Sequence, residues 1–110
     1  MADIPPVELD DKQIVVNQEY TGTKFQDNGT VGAAPATTIT ATVNFKFKSL
    51  FVRDTHAGNN LLISFDGGTK WTTIYPGEGL NFPLNQTSVQ VKGSAAGTTW
   101  EAVGEMEATA

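Results

Sequence analysis

The chain has 110 residues, of which 39% are hydrophobic and 17% charged, with 11 glycines and 5 prolines; this length allows one domain with one core, and the composition favours an all-β fold. Its formal net charge of -5 opposes attraction to a polyphosphate, so we expect no nucleic-acid partner. Because the chain contains no cysteine, disulfides, thiolate metal sites and cysteine nucleophiles are excluded.

The first eleven residues, 1–11, are predicted to form an extended N-terminal arm. They contain four carboxylates and no basic residue, and the pair Pro5-Pro6 favours a polyproline-like course. Such an arm can bind a partner by pairing its backbone with the edge of a sheet. The residues expected to contact the partner are Ile4, Pro5, Pro6, Val7, Leu9, Asp10 and Asp11.

The same segment lacks the basic start and apolar run of a signal peptide. No window of the sequence approaches the ~20 apolar residues that a membrane span requires. We therefore expect a soluble protein that is made in the cytoplasm and has no membrane partner.

Residues 12–36 are predicted to join the arm to the main domain. They contain two candidate strands, KQIVVN and YTGTKFQ, and the second is expected to end at a turn formed by Asn28-Gly29. The segment TVGAAPA that follows is rich in small residues and structure breakers, which is typical of a linker.

Residues 37–110 are predicted to form the core of an antiparallel β-sandwich with a jelly-roll or immunoglobulin-like topology. Short segments rich in strand formers recur there about every 8 to 12 residues, the spacing typical of sandwiches and barrels. No stretch keeps an apolar period of 3.6 residues, so no helix longer than one turn is expected. The strand segments are TTITATVNFKF, SLFVRD, NLLISF, KWTTIY, GLNFPL, TSVQVK and TTWEAVGEM.

Alternation of apolar and polar residues predicts which side chains face the core. Val43, Phe45 and Phe47 share one parity, but Leu50 and Val52 have the opposite parity, which indicates a bulge or a strand crossing near Lys48-Ser49. Pro83 lies inside an apolar row, and a proline cannot donate to a central ladder, so its strand is expected at a sheet edge. The other predicted inward rows are Leu61, Ile63 and Phe65; Leu80, Phe82 and Leu84; and Val89 and Val91.

Two glycine-containing segments are interpreted as turns. Asp66-Gly67-Gly68 lies between two segments rich in strand formers, so its glycines are expected to supply the positive φ of a hairpin and Asp66 to cap it. Pro76-Gly77 fits a type II turn. Neither segment is followed by a helix, which a phosphate-binding loop would need.

No catalytic set is visible, and we expect no enzyme activity, no metal site and no cofactor. His56 is the single histidine and lies in a predicted loop, where we assign it no role. The carboxylates Asp54, Asp66 and Glu78 lack the spacing of a calcium loop and are interpreted as solvated loop residues.

Three aromatic side chains, Trp71, Tyr75 and Trp100, have two possible roles. Buried aromatics are common in the cores and interfaces of small sheet proteins, and we favour that interpretation. The alternative is a stacking platform for a carbohydrate.

The segments LFVRDTHAGNNLLISFDGGTKWTTIYPGEGLNFPL and SVQVKGSAAGTTWEAV resemble small structural proteins of the virions of tailed bacteriophages. The matching pieces are residues 52–54, 61–68, 71–77 and 91–101, and the resemblance covers about half of the chain, from Ser49 to Val103. It implies a sandwich on a virion that acts as a decoration or minor structural protein.

The partners implied by this resemblance are the major capsid protein or other virion proteins, with many copies or a homo-oligomer of this chain on each particle. Capsid decoration is the expected function. A tail or head–tail component, or a carbohydrate-binding adhesion module, is the alternative.

Overall fold

The computed structural model describes residues 24–109, which form an all-β fold, as the sequence predicts. No helix occurs among the described residues, so none there is long and apolar enough to cross a membrane. Eight strands follow one another along the chain: β1 (Lys24–Val31), β2 (Thr37–Thr40), β3 (Phe45–Asp54), β4 (Leu61–Ser64), β5 (Thr72–Ile74), β6 (Gly79–Gln86), β7 (Ser88–Gly93) and β8 (Thr98–Ala108).

The strands form two four-stranded antiparallel sheets that pack against each other. The first sheet has the order β1-β8-β3-β6 and the second has the order β2-β7-β4-β5. All of the strand pairs are antiparallel. This interleaved order is that of a jelly roll, in which eight strands form two packed sheets. The predicted antiparallel sandwich is therefore confirmed, with the jelly-roll topology.

The core lies between the sheets and consists of the alternate side chains that each strand points inward. Phe25 of β1 reaches Phe47 of β3 edge to face, with ring centroids 4.9 Å apart, and Phe65 contacts Phe82 at 4.8 Å where the two sheets close. Burial of apolar area from both sheets is the main force that holds them together. The buried apolar residues are Val31, Ile39, Ala41, Phe47, Leu50, Val52, Leu61, Ile63, Ile74, Val89, Val91, Trp100, Ala102 and Met106.

The predicted bulge and edge strand are both confirmed. The register of β3 shifts between Phe47 and Ser49 against both of its neighbours, and the shift lets Phe47 and Leu50 face the same core. The strand with Pro83 is β6, at the edge of the first sheet.

Two predictions about local structure are wrong. Val43 is 80% exposed, because it lies in a turn closed by a hydrogen bond from the Phe45 N–H to the Thr42 carbonyl (2.9 Å), and β3 begins only after that turn. Asn28-Gly29 forms no turn, because β1 continues through it and pairs residue by residue with β8 from Lys24 to Val31.

The sandwich therefore includes residues 24–31, which the sequence analysis assigned to the joining segment. Val31 is part of the core, so β1 is an integral strand and not a connection. The predicted arm, residues 1–11, lies outside the described residues.

Candidate functional site

Four connections meet at one end of the sandwich, which we call the histidine end: residues 32–36, 55–60, 75–78 and 94–97. Hydrogen bonds tie these connections together. The Gly93 N–H donates to the Gly32 carbonyl at 2.8 Å, and the Ser94 N–H donates to the Asn60 carbonyl at 2.9 Å. In return, the Ser94 hydroxyl accepts from the Asn60 N–H at 3.0 Å. The connections at this end are therefore joined to one another by hydrogen bonds.

His56 organises its own loop, which corrects the prediction that it has no role. Its Nδ1 accepts hydrogen bonds from the N–H groups of Gly58 (2.9 Å) and Asn59 (2.8 Å). Because Nδ1 accepts both bonds, it carries no proton in this arrangement. This nitrogen is therefore engaged in structure and is not available as a catalytic base. The signal that sequence reasoning missed is the H-A-G-N order, in which two donors follow the ring closely.

Asp54 is fully buried at the end of β3, so the prediction that it is a solvated loop residue is wrong, because the strand continues through it. Its Oδ1 accepts from the His56 N–H at 2.9 Å, whereas its Oδ2 has no partner among the described residues. Its main chain joins the connection between β5 and β6, because the Asp54 N–H donates to Glu78 and the Asp54 carbonyl accepts from Gly77. Asp54 therefore anchors two loops to the sheet.

The carboxylates of Asp54, Asp66 and Glu78 do not converge on one site. Asp54 and Glu78 lie at the histidine end, and Glu78 Oε1 accepts from the Tyr75 N–H at 3.0 Å. Asp66 lies at the opposite end, because it follows β4, which runs away from the histidine end. Among residues 24–109 no group of three or more histidines, aspartates or glutamates could hold a metal ion.

The Asp66-Gly67-Gly68 segment turns the chain between β4 and β5, and both glycines have positive φ, 81° and 98°. Asp66 Oδ1 accepts from the Ser64 hydroxyl (2.8 Å) and from the N–H groups of Thr69 (3.1 Å) and Lys70 (3.0 Å). The Lys70 N–H, the Ser64 hydroxyl and the Thr69 N–H hold the pKa of Asp66 below its ordinary value, although desolvation opposes this shift. These donors belong to the loop and to Ser64 at the end of β4, so the segment has the contacts of a hairpin connection.

The Pro76-Gly77 segment is also a turn. The Glu78 N–H donates to the Tyr75 carbonyl at 2.8 Å, and Gly77 has a φ of 78°, as a type II turn requires at its third position.

The aromatic residues lie in two separate places. Trp100 is 4% exposed and belongs to the core of the first sheet, and its Nε1 has no partner among the described residues. Trp71 and Tyr75 flank β5 in the second sheet, and Tyr75 is 58% exposed. Lys92 Nζ lies 4.3 Å from the centroid of the Trp71 ring, in cation–π geometry. No platform of all three rings exists, and the core interpretation fits Trp100 alone.

An apolar patch on the outer face of the first sheet was missed by the sequence analysis. Val103 is 46% exposed and lies opposite the half-buried Phe51 on the neighbouring strand. The signal was present: in TTWEAVGEM, Val103 has the parity of Glu101 and Glu105, so an apolar residue stands on the charged face.

Comparisons with known proteins give a fold but no family. No protein-family profile and no curated protein matches the chain. A subunit of Bacillus endospore appendages, described as a novel family of disulfide-linked pili, has a similar fold, with a TM-score of 0.61 and 18% identity over 79% of this chain and 86% of that one.

Two further solved structures align less well. One is a Ralstonia eutropha JMP134 protein provisionally assigned as a mannose-6-phosphate isomerase, with a TM-score of 0.42 and 16% identity over 74% of this chain and 69% of that one. The other is a de novo designed double-stranded β-helix, with a TM-score of 0.40 and 15% identity over 76% of this chain and 97% of that one. At this level of similarity neither alignment bears on function.

Proposed function

We propose that this chain is a non-enzymatic structural protein of a tailed-phage virion, present in many copies, which decorates the capsid by binding the major capsid protein. The observation that carries the proposal is the set of hydrogen bonds that side chains make at the histidine end. Its loops contain His56 and Glu78, and a hydrogen-bond acceptor of each side chain is used in holding the loops together. Nδ1 of His56 accepts two backbone N–H groups, and Glu78 accepts a third from Tyr75.

The fold and the sequence resemblance support the same function. Jelly rolls are frequent in viral capsid domains, although they also occur in lectins and cupins, so the fold by itself does not decide the function. The sequence resemblance to small phage virion proteins spans Ser49 to Val103, and that range contains six of the eight strands in whole or in part.

The similarity to an appendage subunit supports assembly into multi-copy structures. The Bacillus appendages are described as disulfide-linked, and this chain has no cysteine. Copies of this chain would therefore be held together by non-covalent contacts. Such contacts can be individually weak and still suffice on a particle, where many copies are held at high local concentration.

The location on the virion is tested by imaging purified particles of the virus that encodes this chain, with and without its gene. We expect regularly spaced density on the head, which disappears when the gene is deleted and returns when it is supplied in trans. Density on the tail or neck would favour the alternative structural roles. Particles that contain no copy of the chain would contradict the proposal.

The carbohydrate-binding alternative now depends on Tyr75 and Trp71, without Trp100. One face of the Trp71 ring is covered by Lys92, which leaves Tyr75 as the most exposed ring. A glycan array probed with the wild type and with Tyr75→Ala tests this alternative. Binding that is lost in the variant would favour an adhesion module over capsid decoration.

A further inference from the structure

The outer face of the first sheet has an ordered pattern of side chains. Adjacent strands are in register, so residues on this face form rows that cross β1, β8, β3 and β6. The central row is Gln26, Val103, Phe51 and Asn81, the row on one side is Asn28, Glu101, Arg53 and Gly79, and the row on the other side is Lys24, Glu105, Ser49 and Pro83.

The centre of this face is apolar. Val103 and Phe51 are direct neighbours across β8 and β3, and the Phe51 ring extends over Gly79, where a side chain would collide with it. Together with their neighbours they line a shallow depression of about 630 Å³. A small apolar centre with a polar rim is the usual anatomy of a protein–protein contact.

The rim of this face contains three ion pairs. Arg53 Nη1 lies 3.3 Å from Glu101 Oε2, and Lys24 Nζ lies 3.5 Å from Glu105 Oε2. Lys46 and Glu107 form a third pair at 3.5 Å. These pairs carry three positive and three negative charges on a face of a chain whose net charge is -5. Such exposed pairs contribute little to folding, but they make this face locally neutral, so two copies could approach there without repulsion.

We propose that this face binds the same face of a second copy of the chain, through a two-fold axis that runs parallel to the strands between β3 and β8. Rotation about that axis places β8 of one copy over β3 of the other, in the same row. Val103 of each copy then faces Phe51 of the other, and Glu101 of each copy faces Arg53 of the other. A two-fold contact requires this kind of self-complementarity, in which one residue meets a second and the second meets the first.

We identify the partner as a second copy because the face carries both positive and negative charges and is complementary to itself. A uniformly acidic or basic partner would meet as many like charges as opposite ones here, whereas the two-fold arrangement joins the two Arg53–Glu101 pairs into one network of alternating charge. The face is about 19 Å across four strands and about 30 Å along them. Each copy would therefore bury somewhat less surface than the ~800 Å² that each partner buries in a standard interface. The contact is therefore expected to be weak in dilute solution. This inference deepens the proposed function and rests on it for the expectation that copies stand side by side.

The first test exchanges charges between two variants of the full chain. Arg53→Glu places acidic residues at both positions 53 and 101, and Glu101→Arg places basic residues at both. Two copies of the same variant therefore repel each other at these positions. In a one-to-one mixture, however, every contact of these residues across the axis joins an acid and a base. Sedimentation velocity over a concentration series should show wild-type dimers, a loss of at least tenfold in association for each single variant, and recovery in the mixture. A mixture that remains monomeric overturns the proposal.

The second test removes the apolar centre. Val103→Glu places a charge at the centre of the face and should abolish self-association, while Val43→Glu, at a more exposed valine in the turn before β3, is the matched control and should leave it unchanged. Far-ultraviolet circular dichroism checks that both variants fold. Unchanged association of Val103→Glu, or a wild type that is monomeric at millimolar concentration, overturns the proposal.

The two proposals fail in different ways. A wild type that dimerises as described but is absent from particles contradicts the virion function and leaves the dimer standing. A wild type that is monomeric in solution, but whose attachment to particles is lost on Val103→Glu, assigns this face to another virion protein and overturns the dimer.

Discussion

The indole of Trp100 lies directly over Gly29, its partner on β1, so that a β-carbon at Gly29 would stand 3.2 Å from Cζ2 and from Nε1 of the ring. This distance is tighter than ordinary van der Waals contact. The close approach lets Trp100 fill the core near the edge of the first sheet while β1 stays paired with β8. The glycine at position 29 is therefore explained by this close packing and not by a turn.

We expect Gly29→Val to destabilise the fold by about 1–3 kcal/mol, because the added side chain must displace the Trp100 ring. Gly29→Ala should have a smaller effect, since the ring needs to move by only a few tenths of an ångström. Chemical denaturation measures both changes, and Asn28→Val, exposed on the same strand, is the control. Equal stability of Gly29→Val and wild type would contradict this close packing of Trp100 on Gly29.

Gly29 also shows where sequence reasoning reaches its limit. Asn-Gly is a strong local turn signal, but here the pairing of eight residues with β8 and the burial of Trp100 outweigh it. Alternation alone was sufficient for Leu61, Ile63, Val89 and Val91, because burial on one face leaves a period of two in the sequence.

Features that depend on contacts distant in sequence were not predictable in this way. The strand order places β1 beside β8, and nothing within either segment specifies that neighbour. The role of His56 depends on the direction of its ring, and the patch around Val103 appears only when β3 and β8 are placed side by side. The bulge near Ser49 was predictable because it changes the parity within a single strand.

The glycines between β4 and β5 are expected to differ in what they tolerate. Gly67→Val should destabilise the fold by about 1 kcal/mol or more, since a branched residue is strained at a φ of 81°. Gly67→Asn should be better tolerated, because asparagine adopts positive φ more readily and no atom lies within 4 Å of its β-carbon. Thermal unfolding of the two variants compares them directly, and equal melting of Gly67→Val and wild type would argue against a strained turn.

His56→Ala should lower stability, because the N–H groups of Gly58 and Asn59 lose their shared acceptor. A loss of about 1 kcal/mol is expected for hydrogen bonds of this kind in a partly exposed loop. His56→Asn is the matched control, since its side-chain oxygen can accept from nearby backbone N–H groups. Hydrogen exchange at Gly58 and Asn59 should accelerate in the alanine variant. Exchange at the wild-type rate would contradict the structural role assigned to His56.

The charge of Asp66 should stabilise the turn at neutral pH and lose that effect in acid. Its pKa is lowered in the folded chain, chiefly by the Lys70 N–H and the Ser64 hydroxyl. A lowered pKa means that the stabilisation is fully present above the unfolded value of about 3.9 and disappears as the pH falls through the folded value. Asp66→Asn should therefore melt below the wild type at pH 7, and the difference should shrink at pH 3. A difference that is the same at both pH values would exclude this linkage.

Deletion of residues 2–11 should separate folding from attachment. Residues 2–11 contain two adjacent prolines and only three large apolar residues, Ile4, Val7 and Leu9, which is little apolar surface to contribute to a core. We therefore expect the melting temperature of the truncated chain to stay close to that of the full chain. The deleted residues contain four carboxylates and no basic group, and the partner is expected to offer basic groups to them. Attachment to particles should therefore weaken on deletion, and attachment of the full chain should weaken as salt rises.

Co-sedimentation with particles at low and high salt measures both effects. A truncated chain that unfolds outright would make this segment part of the folded domain, and one that binds particles at full strength would show that attachment does not depend on it.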